Sequence, residues 1–122
     1  MNRTALENDL LTNVLVLEFN RRTNPKGKLR RMICTKSNYI LSSTQGRFNL
    51  NFRNPKFGGP KYDESKANTV VVWDILTQDY RQIPCETVHV IDIIPEKLFW
   101  KYYNEQLLTM SKRDKVSFMN HA

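Results

Sequence analysis

Arg21, Arg22, Lys26, Lys28, Arg30 and Arg31 place six cations within eleven consecutive positions, and no carboxylate interrupts them. Cations at such density neutralise a polyanion, because each guanidinium or ammonium that meets a phosphate releases condensed counterions. Arg47, Arg53, Lys56 and Lys61 continue the series. Between Arg21 and Lys66 the chain holds twelve of its nineteen Lys and Arg residues, with Asp63 and Glu64 as the only acids. That stretch carries +10 and the remainder −3, so the net +7 comes from little more than a third of the sequence. Self-repulsion of this kind opposes compaction, and the pattern points to an anionic partner. Nucleic acid is the first expectation: DNA before RNA.

Catalytic groups are not apparent at any spacing that chemistry requires. Gly58-Gly59-Pro60 lacks the Lys-Ser/Thr of a phosphate-binding loop, and His89 and Asp92 fall on opposite faces of one extended run. Cys34 and Cys85 are 51 positions apart inside apolar segments, which suits two core thiols better than a disulfide framework. With two His residues and no clustered ligands, neither a metal nor another cofactor is expected. The expectation is a binding protein and not an enzyme. No apolar run approaches the 18 residues of a membrane span, and residues 1–11 lack a signal-like apolar core, so a cytoplasmic location is expected.

The elements that must carry the cations follow from periodicity. Residues 13–21 read as a strand, Asn24, Pro25 and Gly27 as a turn, and Leu29 to Thr35 as a second strand with Met32 and Cys34 turned inward. The basic residues thus sit on a hairpin. Residues 36–68 lose periodicity and read as a long basic loop, with a helical turn at Tyr39-Ile40-Leu41 and an alternating stretch at Arg47 to Arg53. Phe48, Phe52, Phe57 and Tyr62 in that loop could stack on unpaired bases or pack it down.

Order resumes at Thr69-Val-Val-Val-Trp-Asp-Ile, the strongest strand and the expected central one. Trp73 is expected in the core, with Asp74 facing the other way to cap the next turn or pair with a hairpin cation. A turn at 76–79, a strand at Tyr80 to Pro84 and a last strand at Val88 to Ile94 complete five short strands. Pro95-Glu96 then opens a helix predicted to run to Met110, and residues 111–122 are polar enough to fray. Phe99, Trp100 and Tyr103 offer more aromatic surface than one helix stripe buries, and are candidates for a protein interface.

This order suits a small five-stranded SH3-like barrel, mainly β, over 13–94, with a long basic insertion, an N-terminal segment at 1–12 and a C-terminal α-helix at 95–110. Gly27-Lys-Leu-Arg-Arg-Met-Ile-Cys-Thr, Tyr39-Ile-Leu, Thr69-Val-Val-Val-Trp-Asp-Ile, Tyr80-Arg-Gln-Ile-Pro and Val88-His-Val-Ile-Asp together resemble a family of small phage-encoded SH3 β-barrel proteins. The fourth strand departs from that family's commoner Trp-Arg-Ser-Phe-Arg, and the basic insertion and final helix exceed its usual extent. The resemblance implies a fold and a phage origin but no catalytic residue. The resulting expectation is a DNA-binding protein of low base specificity that modulates transcription or host DNA-binding proteins during infection. The alternative is a module that inhibits or redirects a host protein, such as RNA polymerase or a defence enzyme.

Overall fold

The computed structural model describes residues 2–20, 29–43 and 68–120. Helix α1 (Arg3–Thr12) is followed by β1 (Asn13–Phe19), β2 (Arg30–Thr35), α2 (Asn38–Ser43), β3 (Thr69–Asp74), β4 (Asp79–Pro84) and β5 (His89–Pro95). A helical arm completes the chain. It comprises a 3-10 turn (Glu96–Leu98), α3 (Phe99–Tyr102), a π-helical stretch (Tyr103–Leu107) and α4 (Lys112–Met119).

The five strands form one antiparallel sheet in the order β4-β3-β2-β1-β5. The middle strand is therefore β2, although β3 is the more apolar in sequence. The reason lies in the connections. A hairpin joins β1 to β2, and β3 adds to β2 through only two register pairs, Cys34 with Asp74 and Thr35 with Trp73, before turning into its own hairpin with β4.

The sheet is open, with β4 and β5 at its two edges, and it must also be curled. Flat sheet edges four strand spacings apart would be about 19 Å from each other. The five peptide steps from Pro84 to His89 span at most about 18 Å when fully extended, yet residues 85–87 form a turn. That turn ties opposite parts of the sheet together. The Cys85 amide donates to the Asn68 carbonyl at 3.0 Å, while Thr87 Oγ1 accepts from the Asn20 amide at 3.0 Å and donates to its carbonyl at 3.2 Å. Asn68 takes the left-handed conformation (φ 52°) that an asparagine tolerates better than most residues.

Curling gives the sheet two buried faces. Leu15, Leu17, Phe19, Met32, Cys34, Val70, Val72 and Ile83 fill the inner one, joined by Leu6 and Leu10 of α1. Val14, Val16, Ile33, Trp73 and Ile94 line the other, covered by Ile40 of α2 and by Phe99 and Leu107 of the arm. Burial on both faces explains why β1 reads as an unbroken apolar run and not as an alternation.

Two segments differ from their sequence reading. Residues 1–12, expected as a plain leading segment, include α1, capped by Asn2 Oδ1 accepting from the Thr4 and Ala5 amides at 2.8 and 3.2 Å. The Leu6 and Leu10 spacing of four puts both side chains on the face that closes the inner core. The tail expected to fray carries α4, whose N-cap Ser111 accepts from the Asp114 amide at 3.1 Å. The arm's hydrogen-bond step also widens along its length, so the single α-helix expected over 95–110 is three helical forms in succession.

The helical turn expected at Tyr39-Ile40-Leu41 is present as α2, with Ile40 fully buried. Cys34 and Cys85 are both buried and not joined in a disulfide, and burial followed by the charge of Asp74 raises the Cys34 thiol well above its ordinary value. Neither thiol of the folded protein should react with a disulfide reagent at mildly alkaline pH, and both should react after unfolding. Rapid titration of Cys34 in the native state would overturn its placement.

Candidate nucleic-acid interface

The candidate cations divide sharply by location. Arg21, Arg22, Lys26, Lys28, Arg47, Arg53, Lys56 and Lys61 lie outside the described residues, as do the strand expected at Arg47 to Arg53 and the loop aromatics. Arg30 and Arg31 lie within them, at the start of β2, and both are committed to carboxylates. Register sets Glu18 of β1 opposite Arg31 of β2 and His89 of β5. Arg31 donates to Glu18 Oε1 through Nε at 3.1 Å and Nη2 at 2.7 Å, while His89 Nε2 stands 3.3 Å from Glu18 Oε2. One acid thus joins three strands.

Arg31 is also held from above, with the Phe118 ring of α4 5.3 Å from its guanidinium carbon. Arg30 Nη2 reaches Asp74 Oδ2 at 3.4 Å and Met119 Sδ at 3.7 Å. Asp74 is only 1% exposed; its other oxygen accepts from the Leu76 and Thr77 amides at 3.0 and 3.2 Å. The aspartate therefore both caps the β3–β4 turn and pairs with a cation, the two roles expected of it. Arg30 and Arg31, expected in a phosphate-contacting set, thus hold the carboxylates of Asp74 and Glu18 in this geometry. The signal was present in sequence: Glu18 and Asp74 are lone acids in apolar strands, and a buried acid requires a cation or several donors.

The rest of the described surface is balanced. Ten Lys and Arg face ten Asp and Glu there, while residues 21–28 and 44–67 hold nine basic residues against two acidic ones. The full net charge of +7 therefore belongs to those two segments. Their attachment points are close together: Asn20 precedes the first, Asn68 follows the second, and both bind the turn at 85–87. Cys85 and Thr87 are two residues apart, so their Cα atoms are within about 7 Å.

The aromatic candidates separate by burial. Phe99 is fully buried and packs against Trp100 and Tyr103, with ring centroids 4.9 and 5.9 Å away. It is a core residue and not an interface residue, because the outer face of the sheet needs a large apolar group where the arm crosses it. Trp100 and Tyr103 are half-buried around it, 5.5 Å apart edge to face. Leu98, Leu108 and Val116, at 56%, 59% and 46% exposed, are the arm's open large apolar residues, in place of the aromatic rings expected there. Tyr102 lies toward the sheet, where burial and then Asp92 raise its phenol.

Among the described residues no group of three His, Cys, Asp or Glu is placed to hold a metal, and no helix is long and apolar enough to cross a membrane. Comparison with known proteins finds no matching family model, no matching curated protein and no matching solved structure.

Proposed function

We propose that the chain binds nucleic acid, duplex DNA in the first place, by phosphate neutralisation with little base specificity. The observation that carries this reading is the partition of charge: an electrically balanced scaffold attached to two segments that hold the entire +7. A net charge placed only for solubility has no reason to be confined to two segments. Arg21, Arg22, Lys26 and Lys28 supply the main contacts, with Arg47, Arg53, Lys56 and Lys61 closing on the backbone from the second segment. The neighbouring attachment points at Asn20 and Asn68 support joint action.

An SH3-like reading of the fold is supported by the strand order and by the short β4–β5 connection, which bends the open sheet toward a barrel. With the resemblance to small phage proteins, it extends the proposal to an infection-time role in modulating transcription or displacing host DNA-binding proteins. A second reading, docking onto a host protein, draws on the exposed Leu98 and Leu108 of the arm.

The test is a mobility shift with duplex DNA, single-stranded DNA and RNA over a salt series. Four to eight phosphate contacts give a log–log slope of about −4 to −7 on duplex DNA. Duplex binding that weakens along that slope supports the proposal. No shift of any nucleic acid at low salt rejects it, and tighter binding to single strands moves the site to the loop aromatics.

A further inference from the structure

Of the ten described Lys and Arg residues, Arg3, Arg30, Arg31, Lys36 and Arg81 pair with carboxylates at 2.7–3.4 Å. Lys97, Lys101, Lys112, Arg113 and Lys115 make no ion pair among the described residues, and three of these five stand on α4. Nothing about helix stability asks for cations there. Lys112 and Arg113 occupy the first turn, where the positive end of the helix dipole disfavours them. Asp114 is one or two positions from all three, a spacing at which helical side chains do not face each other.

The placement of α4 is set by its contacts with β2. Its last turn is fastened to the start of β2 by Phe118 against Arg31 and by Met119 against Arg30. The basic stretch 21–28 leads directly into that point of the chain. Lys112 and Lys115 precede Phe118 by six and three residues, about 9 and 4.5 Å of helix rise. Over 9 Å, duplex DNA presents on the order of five phosphate charges.

We propose that α4 is a third element of the nucleic-acid surface, with Lys112, Arg113 and Lys115 contacting the phosphates of duplex DNA. This rests on the binding activity proposed above and adds a rigid component to it. Phe118 and Met119 act as positioning residues that fix the helix against Arg31 and Arg30 at the start of β2.

Fluorescence anisotropy of a short labelled DNA duplex, titrated with the full chain over a salt series, tests it. The triple variant Lys112→Gln, Arg113→Gln, Lys115→Gln should flatten the log–log slope by about 2.7 and lower affinity on the order of a hundredfold near 100 mM salt. Its circular dichroism and unfolding midpoint should match the wild type. Lys97→Gln provides the positional control, because register sets Pro95 opposite Asn13, six residues along β1 from the Phe19–Arg30 pair and about 20 Å away. That single change should leave the slope within error. A triple variant that binds with the wild-type slope overturns the role of α4 while the wild type still binds DNA. Lys97→Gln flattening the slope as much per charge also overturns it, because net charge and not position would then be acting. A wild type that binds no duplex defeats the underlying activity, a result distinct from both.

Discussion

On the proposed function, replacing Arg21, Arg22, Lys26 and Lys28 with glutamate should lower affinity for duplex DNA on the order of a thousandfold or more near 100 mM salt and should leave stability almost unchanged. Each lost phosphate contact removes about 0.9 from the salt exponent, so four contacts account for more than three powers of ten before any repulsion is added. Removing like charges from one stretch also relieves self-repulsion, so unfolding should not become easier. Arg30→Ala is expected to behave in the opposite way. It strands Asp74, which is 1% exposed and among the described residues keeps only the Leu76 and Thr77 amides as donors to its carboxylate, at a cost of about 3 kcal/mol. The urea midpoint should fall by about 1–3 M, while the remaining folded protein binds DNA within a few fold of the wild type. Equilibrium unfolding and anisotropy on the same two variants provide the comparison. An Arg30→Ala protein of normal stability that has lost DNA binding would return Arg30 to the phosphate-contacting set.

The second large effect belongs to Phe99. Its ring is fully buried in the outer core that also holds Ile33, Trp73 and Ile94, so Phe99→Ala removes a large side chain from that core and leaves a cavity there. Comparable truncations cost about 3–5 kcal/mol, a large share of a stability on the order of 5–15 kcal/mol. Because α4 continues from the same arm, loosening there should also expose residues beyond Pro95 to limited proteolysis before the sheet unfolds. Trp100→Ala, acting on a half-buried ring, should cost less. If Phe99→Ala unfolds at the wild-type midpoint, Phe99 is not the keystone of this core and its ring faces a partner instead.

Both results depend on distinctions that single strands do not display. In isolation the stretch Leu29 to Thr35 presents two arginines in a strongly basic neighbourhood, and nothing local separates them from Arg21 or Lys28. Pairing β2 with β1 and β3 brings Glu18 and Asp74 to them, 13 and 44 residues away in sequence. The same limit applies to the arm. Helical spacing identifies its apolar residues, but which ring fills the core depends on how the arm crosses a curled sheet. Helix α1 is a different case: Asn2 as cap and the Leu6–Leu10 spacing are local signals, legible before any fold is known.

What the sequence determined by itself is the set of elements and the distribution of charge. Five strands, the turn after Asp74, the helical turn at Ile40 and the separation of +10 from −3 follow from residue type, period two and period three to four, which are local properties of the chain. Only the tertiary structure decided that β2 lies at the centre, that the sheet stays open while its connections curl it, and that α4 docks where a frayed tail was expected. It also decided which cations pair with the acids of β1 and β3. Long-range pairing controls all of these, because a carboxylate, a ring or a neighbouring strand can satisfy a residue from anywhere along the chain, and one-dimensional periodicity carries no information about who arrives.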